Sequence, residues 1–185
     1  MEELIEIFNI FQEIADQKVQ TPTEMLDEYL KKELDMNFAD NIMPWIGKHA
    51  SFVITDGDFQ SGDIQVMFII EALNKGNADE FIVQFTEALD KKQSKKFEKS
   101  EKDGVTLYTY DGASPEENMF IARSGSLVYI ANSEETLFES IKLSKEDSLA
   151  SSENYKASMA ALPKDRFSTI YINGKRYIEI LQSMA

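Results

Sequence analysis

The sequence contains no cysteine and, among its 185 residues, only one histidine and one tryptophan. The absence of cysteine excludes disulfide bonds, thiolate nucleophiles, iron–sulfur clusters and zinc sites built on thiolates. The single imidazole, that of His49, leaves no room for a histidine-rich metal site. Hydrophobic residues nevertheless make up 43% of the chain and aromatic residues 11%. A chain of this length and composition can therefore bury a core without a disulfide.

Positive charge is also scarce. The sequence has 19 Lys and Arg against 33 Asp and Glu, which gives a formal net charge of -14. Nucleic-acid binding depends on basic side chains that neutralise phosphates, and docking on an anionic membrane surface needs the same charge. The balance argues against both classes of partner; the partner itself stays unknown, and a protein partner is left open.

Long apolar runs are missing as well. No stretch reaches the ~18–20 apolar residues of a membrane-spanning helix. The acidic start Met1-Glu2-Glu3 does not have the basic character of a signal peptide. Two interpretations follow: either the protein is cytoplasmic, or Met1 replaces an anchor that has been removed.

The amino-terminal part of the chain is predicted to be helical. Over residues 3–16, apolar side chains recur at helical spacing and indicate a helix with a broad apolar face, suited to a core or to a partner. A second helix is predicted over residues 22–34. There Thr21 can cap the helix, Pro22 suits its first position and Glu24 completes a capping box.

The rest of the chain combines strands and helices. β-branched and aromatic runs predict strands at residues 50–55, 64–71, 105–110, 119–122, 127–131 and 167–172. Capping residues predict helices that begin at Asn77, Ser133 and Ser151, and a last helical stretch is predicted over 176–184. Because hairpins predominate, this order favours an α+β fold with a mostly antiparallel sheet and helices on one face.

The same pattern predicts the domain organisation. Residues 1–150 are expected to form one α+β domain. Ala161-Leu162-Pro163 before the strand at 167–172 echoes Ile42-Met43-Pro44 before the strand at 50–55. We therefore expect residues 151–185 to begin a second repeat unit that is truncated.

Two places in the sequence carry residues suited to chemistry. Asp56, Asp58 and Asp63 crowd a loop with two glycines, and oxygen clusters of this kind can hold Ca²⁺. Their spacing departs from the EF-hand pattern, and Asp and Gly are ordinary turn residues, so a turn is favoured and cation binding stays open. His49 is the single candidate imidazole base. Without a Gly-x-Ser-x-Gly elbow, it is interpreted as a structural or exposed histidine.

A basic island interrupts the acidic chain. It consists of Lys91, Lys92, Lys95, Lys96, Lys99 and Lys102. We interpret it as solvating a helix end and protecting a strand edge from pairing; the alternative is a patch for an anionic partner. Phosphate-binding glycine motifs are missing. No catalytic, cofactor-binding or metal-ligating residue is assigned, and no cofactor is implied.

Several segments resemble an uncharacterised bacterial family, the domain of unknown function number thirty-three fifty-two. The most specific is Pro44-Trp45-Ile46-Gly47, which leads into a predicted strand and has Ile46 where the family usually has Leu. The helix that begins Asn77-Ala78-Asp79-Glu80-Phe81 and the segment 126–133 also resemble it, and the similarity extends over most of 22–173. This resemblance implies a longer parent protein with an amino-terminal membrane anchor, facing outward. It implies no activity and no site residues.

Three functions remain as hypotheses. The leading one is a non-enzymatic extracytoplasmic interaction or envelope-associated domain of a longer membrane-anchored bacterial protein, with a cytoplasmic protein as the alternative location. The second is a small-ligand binding or sensing domain, and the third is a carboxylate-based hydrolase. A pocket of converging polar groups would favour the second, and two buried carboxyls ~5–10 Å apart the third. A convex, pocketless surface with one exposed apolar patch would favour the first.

Overall fold

The computed structural model describes residues 22–58, 63–92, 96–114, 117–163, 169–174 and 178. The chain divides into two compact units. The first, the helical unit, comprises residues 1–46 and 73–94, and the second, the sheet unit, comprises residues 47–72 and 95–185. The helix predicted over 3–16 lies outside the described residues.

The helical unit begins with α1, Pro22–Leu34, which has the predicted bounds. Its stability comes from two sources. Leu30 and Leu34 are buried one turn apart, and Asp27 forms an ion pair of 2.6 Å with Lys31 across one helical turn. The helix ends where Asp35 takes a left-handed conformation with φ of 53°.

A short π-helical turn, Phe38–Ile42, precedes the second helix of this unit, α2, Lys75–Asp90. The predicted capping residue Asn77 is three positions too late, because Asn74 caps this helix and its side chain accepts a hydrogen bond from the backbone N–H of Asn77. At the other end of α2, Lys92 lies within 3.3 Å of the Glu33 carboxylate and donates to the carbonyl of Lys32. These contacts fasten the end of α2 to the end of α1.

The sheet unit is built on six strands, which are β1 Ile46–Asp58, β2 Asp63–Ala72, β3 Glu98–Lys102, β4 Val105–Tyr110, β5 Met119–Ser124 and β6 Leu127–Ala131. The strand order is β1-β2-β6-β5-β4-β3, so β1 and β3 form the two edges. The predicted α+β class with an antiparallel sheet is confirmed.

The centre of the sheet is set by the pairing of β2 with β6, two strands far apart in sequence. Met67 lies opposite Ala131, and Ala131 in turn lies opposite Phe120 of β5. The strand β3 is not among the predicted strands, so the meander has four strands rather than three. Its five residues are all exposed and mostly charged, and they pair with β4 through the backbone without an apolar alternation that would reveal them.

One helix, α3, Glu134–Lys142, closes the core of the sheet unit. Ser133 caps it as predicted, and Leu137 and Phe138 point into the sheet. The core cluster is formed by side chains from four strands and this helix, namely Met67, Leu107, Phe120, Ala122, Tyr129, Ala131, Leu137 and Phe138. These buried apolar contacts on one face are what hold α3 to the sheet.

The last described helix is α4, Glu153–Ala160, which Ser152 caps. The strand predicted over 167–172 is wrong in its described part. Residues 169–172 form no strand, and the side chains of Ile170 and Ile172 are exposed. An apolar run becomes a strand only where a neighbouring strand can pair with it. The start of a second repeat at 151–185 stays a prediction, and the helical stretch at 176–184 lies outside the described residues except for Ile178.

Candidate functional site

The strand β1 is the long edge of the sheet. It has 13 residues, Ile46–Asp58, and within the described part of the chain one neighbouring strand, so no described strand lies beside its outer backbone groups. Its central residues, Phe52-Val53-Ile54, combine aromatic and β-branched side chains, which favour extended backbone. An edge of this kind is a template for pairing with another strand.

An apolar patch lies on this edge. Phe52, Ile54 and the neighbouring Phe68 of β2 are exposed to 56%, 51% and 48%. The rings of Phe52 and Phe68 contact each other with centroids 4.8 Å apart. Phe68 follows the core residue Met67, so the pleat places this cluster on the face opposite α3. We call the three side chains the hairpin patch.

The other edge of the sheet has the opposite character. The strand β3 has five residues, all exposed, with the sequence Glu98-Lys99-Ser100-Glu101-Lys102. The ammonium of Lys99 lies 5.5 Å from the centre of the Tyr108 ring, and Lys102 forms an ion pair with Glu134. A short, charged edge resists pairing with another sheet. Lys99 and Lys102 of the basic island therefore lie on this strand edge, and the alternative role of the island as a patch for an anionic partner stays a prediction.

The single histidine has a charged partner. The Glu71 carboxylate accepts a hydrogen bond from the backbone N–H of Lys48 at 3.0 Å and lies 2.9 Å from Nδ1 of His49. The hydrogen bond from His49, together with that from the Lys48 N–H, holds the pKa of Glu71 below its ordinary value. A histidine–carboxylate pair also occurs in catalytic triads, where the carboxylate is buried. Here both side chains reach solvent, His49 with 83% and Glu71 with 30% of its side chain exposed. These contacts join the beginning of β1 to the end of β2.

This pair makes stability depend on pH. Because the pKa of Glu71 is lowered in the folded protein, the charged carboxylate stabilises the fold above its ordinary pKa, and this contribution is lost as the pH falls through the lowered value. We expect Glu71→Gln to be less stable than wild type at neutral pH and equally stable in strong acid. Urea midpoints measured across this pH range check the expectation. A difference that persists unchanged in acid would contradict it.

The backbone next to this pair leaves no space for a side chain. A Cβ atom added at Gly47 would lie 2.5 Å from Cγ of Glu71, so Gly47→Ala should displace the carboxylate and lower the thermal midpoint. Gly76→Ala is the matched control, because a Cβ at Gly76, in the first turn of α2, meets its nearest neighbour at an ordinary 3.5 Å. We expect no loss of stability there, since alanine favours a helix. Equal losses at both positions in thermal unfolding would contradict this account.

The helical unit contains a small polar cleft of about 210 Å³. Its lining residues are Asp40, Asn41, Pro44, Trp45, Asn77, Glu80, Phe81 and Gln84. The amide of Asn41 donates to Gln84 at 3.0 Å, and the amide of Asn77 donates to the carbonyl of Pro44 at 3.4 Å. Each of these amides therefore already has a hydrogen-bond partner within the cleft, and a polar ligand would have to replace these bonds.

A wider groove of about 470 Å³ lies in the sheet unit beside α3. The Phe138 ring lies between two ammonium groups, with Lys102 Nζ at 4.7 Å and Lys142 Nζ at 5.9 Å from its centre. Each ammonium is already paired with a carboxylate, Lys102 with Glu134 and Lys142 with Asp103. The lining thus carries three glutamates and two lysines, and an anionic ligand would have to displace a carboxylate from either ammonium group.

The three aspartates of the predicted loop lie at the end of β1 and at the start of β2. The strand β1 extends to Asp58 and β2 begins at Asp63, so both strands are longer than predicted. The structure does not describe the side chains of Asp56, Asp58 and Asp63. Whether they bind a cation therefore stays a prediction. Among the residues that are described, no group of three histidine or acidic side chains could hold a metal ion.

Two functional features were not predicted from the sequence. One is the partner of His49, because Glu71 lies 22 positions further along the chain. The other is the edge position of β1, which follows from the order of the strands rather than from any local signal. The clustering of Phe52 and Ile54 in an uncharged run was the available hint. Within the part of the chain described, no helix is long and apolar enough to span a membrane.

Comparison with known proteins gives a family but no activity. The family model described as "Protein of unknown function (DUF3352)" matches residues 6–184. No curated protein and no solved structure matches the sequence. The resemblance based on the segment around Pro44 and Trp45 is therefore confirmed, and the function has to be argued from the geometry of this chain.

Proposed function

We propose, from the premise that the chain belongs to the DUF3352 family, that it is a non-enzymatic interaction domain that binds through the β1–β2 hairpin. It would be the outward-facing, extracytoplasmic part of a longer bacterial protein anchored in the membrane. The observation that carries the interaction role is the hairpin patch, Phe52, Ile54 and Phe68, on the long edge strand.

The patch supports this role because its apolar side chains lie close together on a strand whose outer side faces no other described strand. Apolar surface removed from water by a partner stabilises a complex by about 25 cal/mol per Å². Aromatic side chains such as Phe52 and Phe68 are enriched in interfaces, and the edge backbone can add hydrogen bonds by strand addition. The surface therefore offers both apolar contact and backbone pairing.

The polar cleft of the helical unit supports a second candidate, a small-ligand binding or sensing domain. Asn41, Asn77 and Gln84 offer amide groups there, beside the carboxylates of Asp40 and Glu80. We rank it second because the amides already bond within the cleft. A carboxylate-based hydrolase ranks third. Its general acid needs a raised pKa, whereas the described carboxyls with a shifted pKa, namely Asp27, Glu33, Glu71 and Asp103, are all shifted downward.

Site-specific photocrosslinking tests the interaction role. A photoreactive amino acid is placed at Phe52 of the full-length parent protein in its own host, with Lys99 of β3 as the matched position on the other edge. We expect a discrete crosslinked product from position 52 only, and purified wild-type domain should compete it away. Equal crosslinking at both positions, or none at position 52, would contradict the proposal.

The absence of cysteine makes the extracytoplasmic location testable. Ser100, an exposed residue of β3, is replaced by cysteine in the full-length protein. A membrane-impermeant maleimide added to intact cells should label this variant as strongly as it does after lysis. The unsubstituted full-length protein is the control for labelling at any other position, because the 185-residue chain itself contributes no cysteine. Labelling that requires lysis would place the domain in the cytoplasm.

A further inference from the structure

We propose that the partner of β1 is a second copy of the same chain. In this dimer, the two β1 strands pair antiparallel and join two six-stranded sheets into one. This inference rests on the proposed interaction role of the hairpin and names its partner. It follows from two independent observations, the contrast between the sheet edges and the order of charges along β1.

The first observation is that one edge is protected and the other is not. Proteins commonly protect edge strands by making them short, by charged side chains and by proline. The strand β3 uses the first two, with five exposed residues of which four are charged. The strand β1 is 13 residues long and has the uncharged segment Ala50 to Thr55 at its centre. A sheet that protects one edge and exposes the other is suited to pairing through the exposed one.

The second observation is charge complementarity. Along β1, Lys48 and His49 come near the beginning, and Asp56 and Asp58 come at the end. A second copy that runs antiparallel brings the basic end of one strand to the acidic end of the other. When Ile46 of one copy lies opposite Asp58 of the other, all residues of the strand are paired and Lys48 lies opposite Asp56. Opposite charges across a strand pair are stabilising, and two-fold symmetry provides the pair twice.

The same register places the hairpin patch at the centre. Phe52 is the middle residue of β1, so it lies opposite Phe52 of the other copy, and Ile54 lies opposite Ala50. Phe68 contacts Phe52 within each copy, so four phenylalanines come together at the two-fold axis. Aromatic pairs directly across two strands stabilise the pairing. A strand of another protein could also cover the patch. Only a second copy, however, must carry the acidic end that lies opposite the basic end of β1.

Single cysteines measure the register. In the proposed dimer, Phe52→Cys puts two cysteines opposite each other, within the ~4.5–5.5 Å between Cα atoms that strand pairing gives and a disulfide accepts. Ile54→Cys is the matched control on the same face. In this register the cysteine at position 54 lies opposite residue 50 of the other copy, so the two cysteines are four residues apart along the strands. The resulting distance of ~14 Å is too long for a disulfide. We expect rapid inter-chain disulfide formation at position 52 under mild oxidation, and little at position 54.

Charge reversal tests the ion pairs by sedimentation velocity over a range of concentrations. Lys48→Glu and Asp56→Lys should each weaken the dimer by about tenfold, because two symmetric pairs become repulsive together. The double variant carries both reversals, restores opposite charges and should recover dimerisation. Lys99→Glu on β3 is the control and should leave the dimer unchanged. Far-UV circular dichroism of each variant verifies that it is folded.

The outcomes separate this inference from the proposed function. A wild-type chain that stays monomeric at all concentrations, or a double variant that fails to recover while folded, overturns the dimer. If position 52 still crosslinks to another protein in cells in that case, the interaction role stands and its partner is a different strand. If position 52 gives neither a dimer nor a crosslink, both proposals fail.

Discussion

Trp45→Ala is expected to lower the free energy of unfolding of the helical unit by about 3–5 kcal/mol, as loss of a fully buried large side chain does. The Trp45 side chain is 2% exposed, and its ring centre lies 5.0 Å from that of Phe81. Its indole N–H donates to the carbonyl of Asn41 at 2.9 Å. The substitution removes a large apolar side chain and leaves that carbonyl unpaired. Urea unfolding followed by far-UV circular dichroism measures the loss, because the variant has no tryptophan fluorescence.

Two further variants define the cause of this loss. Trp45→Phe keeps an aromatic ring at the site but removes the hydrogen bond to Asn41, so a smaller loss of about 1–2 kcal/mol is expected. Met43→Ala alters an exposed neighbour in the same segment and should change the unfolding midpoint little. If Trp45→Ala were no more destabilising than Met43→Ala, Trp45 would not be the centre of this unit.

Leu137→Ala is expected to have a comparable effect on the sheet unit, about 2–5 kcal/mol. Its side chain is 0% exposed and belongs to the core cluster that joins α3 to the sheet, with Met67 and Phe120 among its members. The truncation leaves a cavity between helix and sheet that the packed strands cannot close. Urea unfolding of the purified variant gives the magnitude.

Leu143→Ala is the matched control for this substitution. Leu143 is the residue that caps the carboxyl end of the same helix, and its side chain is exposed. Its truncation should change the free energy of unfolding by less than about 0.5 kcal/mol. A loss at Leu143 equal to that at Leu137 would show that α3 packs on the sheet through a different face.

Elements with local signals were predicted well from the sequence. The helix Pro22–Leu34 has a proline that suits its first turn, and the strand Val105–Tyr110 has an apolar alternation typical of a half-buried sheet. The cap Ser133 was also predicted, because a hydroxyl followed by two acidic residues favours the start of a helix. Each of these signals lies within a few residues of the structure that it determines.

Features that depend on distant partners were not predicted. The strand β3 has no apolar alternation, and only its pairing with β4 makes it a strand. The apolar run at Ile170 and Ile172 has the composition of a strand, yet forms none. The pairing of β2 with β6 sets the strand order and thereby makes β1 an edge. This is why the candidate surface could not be located from the sequence, although Phe52 and Ile54 were in a predicted strand.

Hydrogen–deuterium exchange tests the central claim, that the β1 edge is covered by a partner, most directly. Exchange of the backbone amides around Phe52 is compared between the full-length protein in its native membranes and the purified domain at high dilution. Outer amides of an unpaired edge strand exchange rapidly, and a paired strand protects them. We expect slower exchange of β1 in the membranes and unchanged exchange of β3 around Ser100. Equal exchange of β1 in both samples would contradict the account.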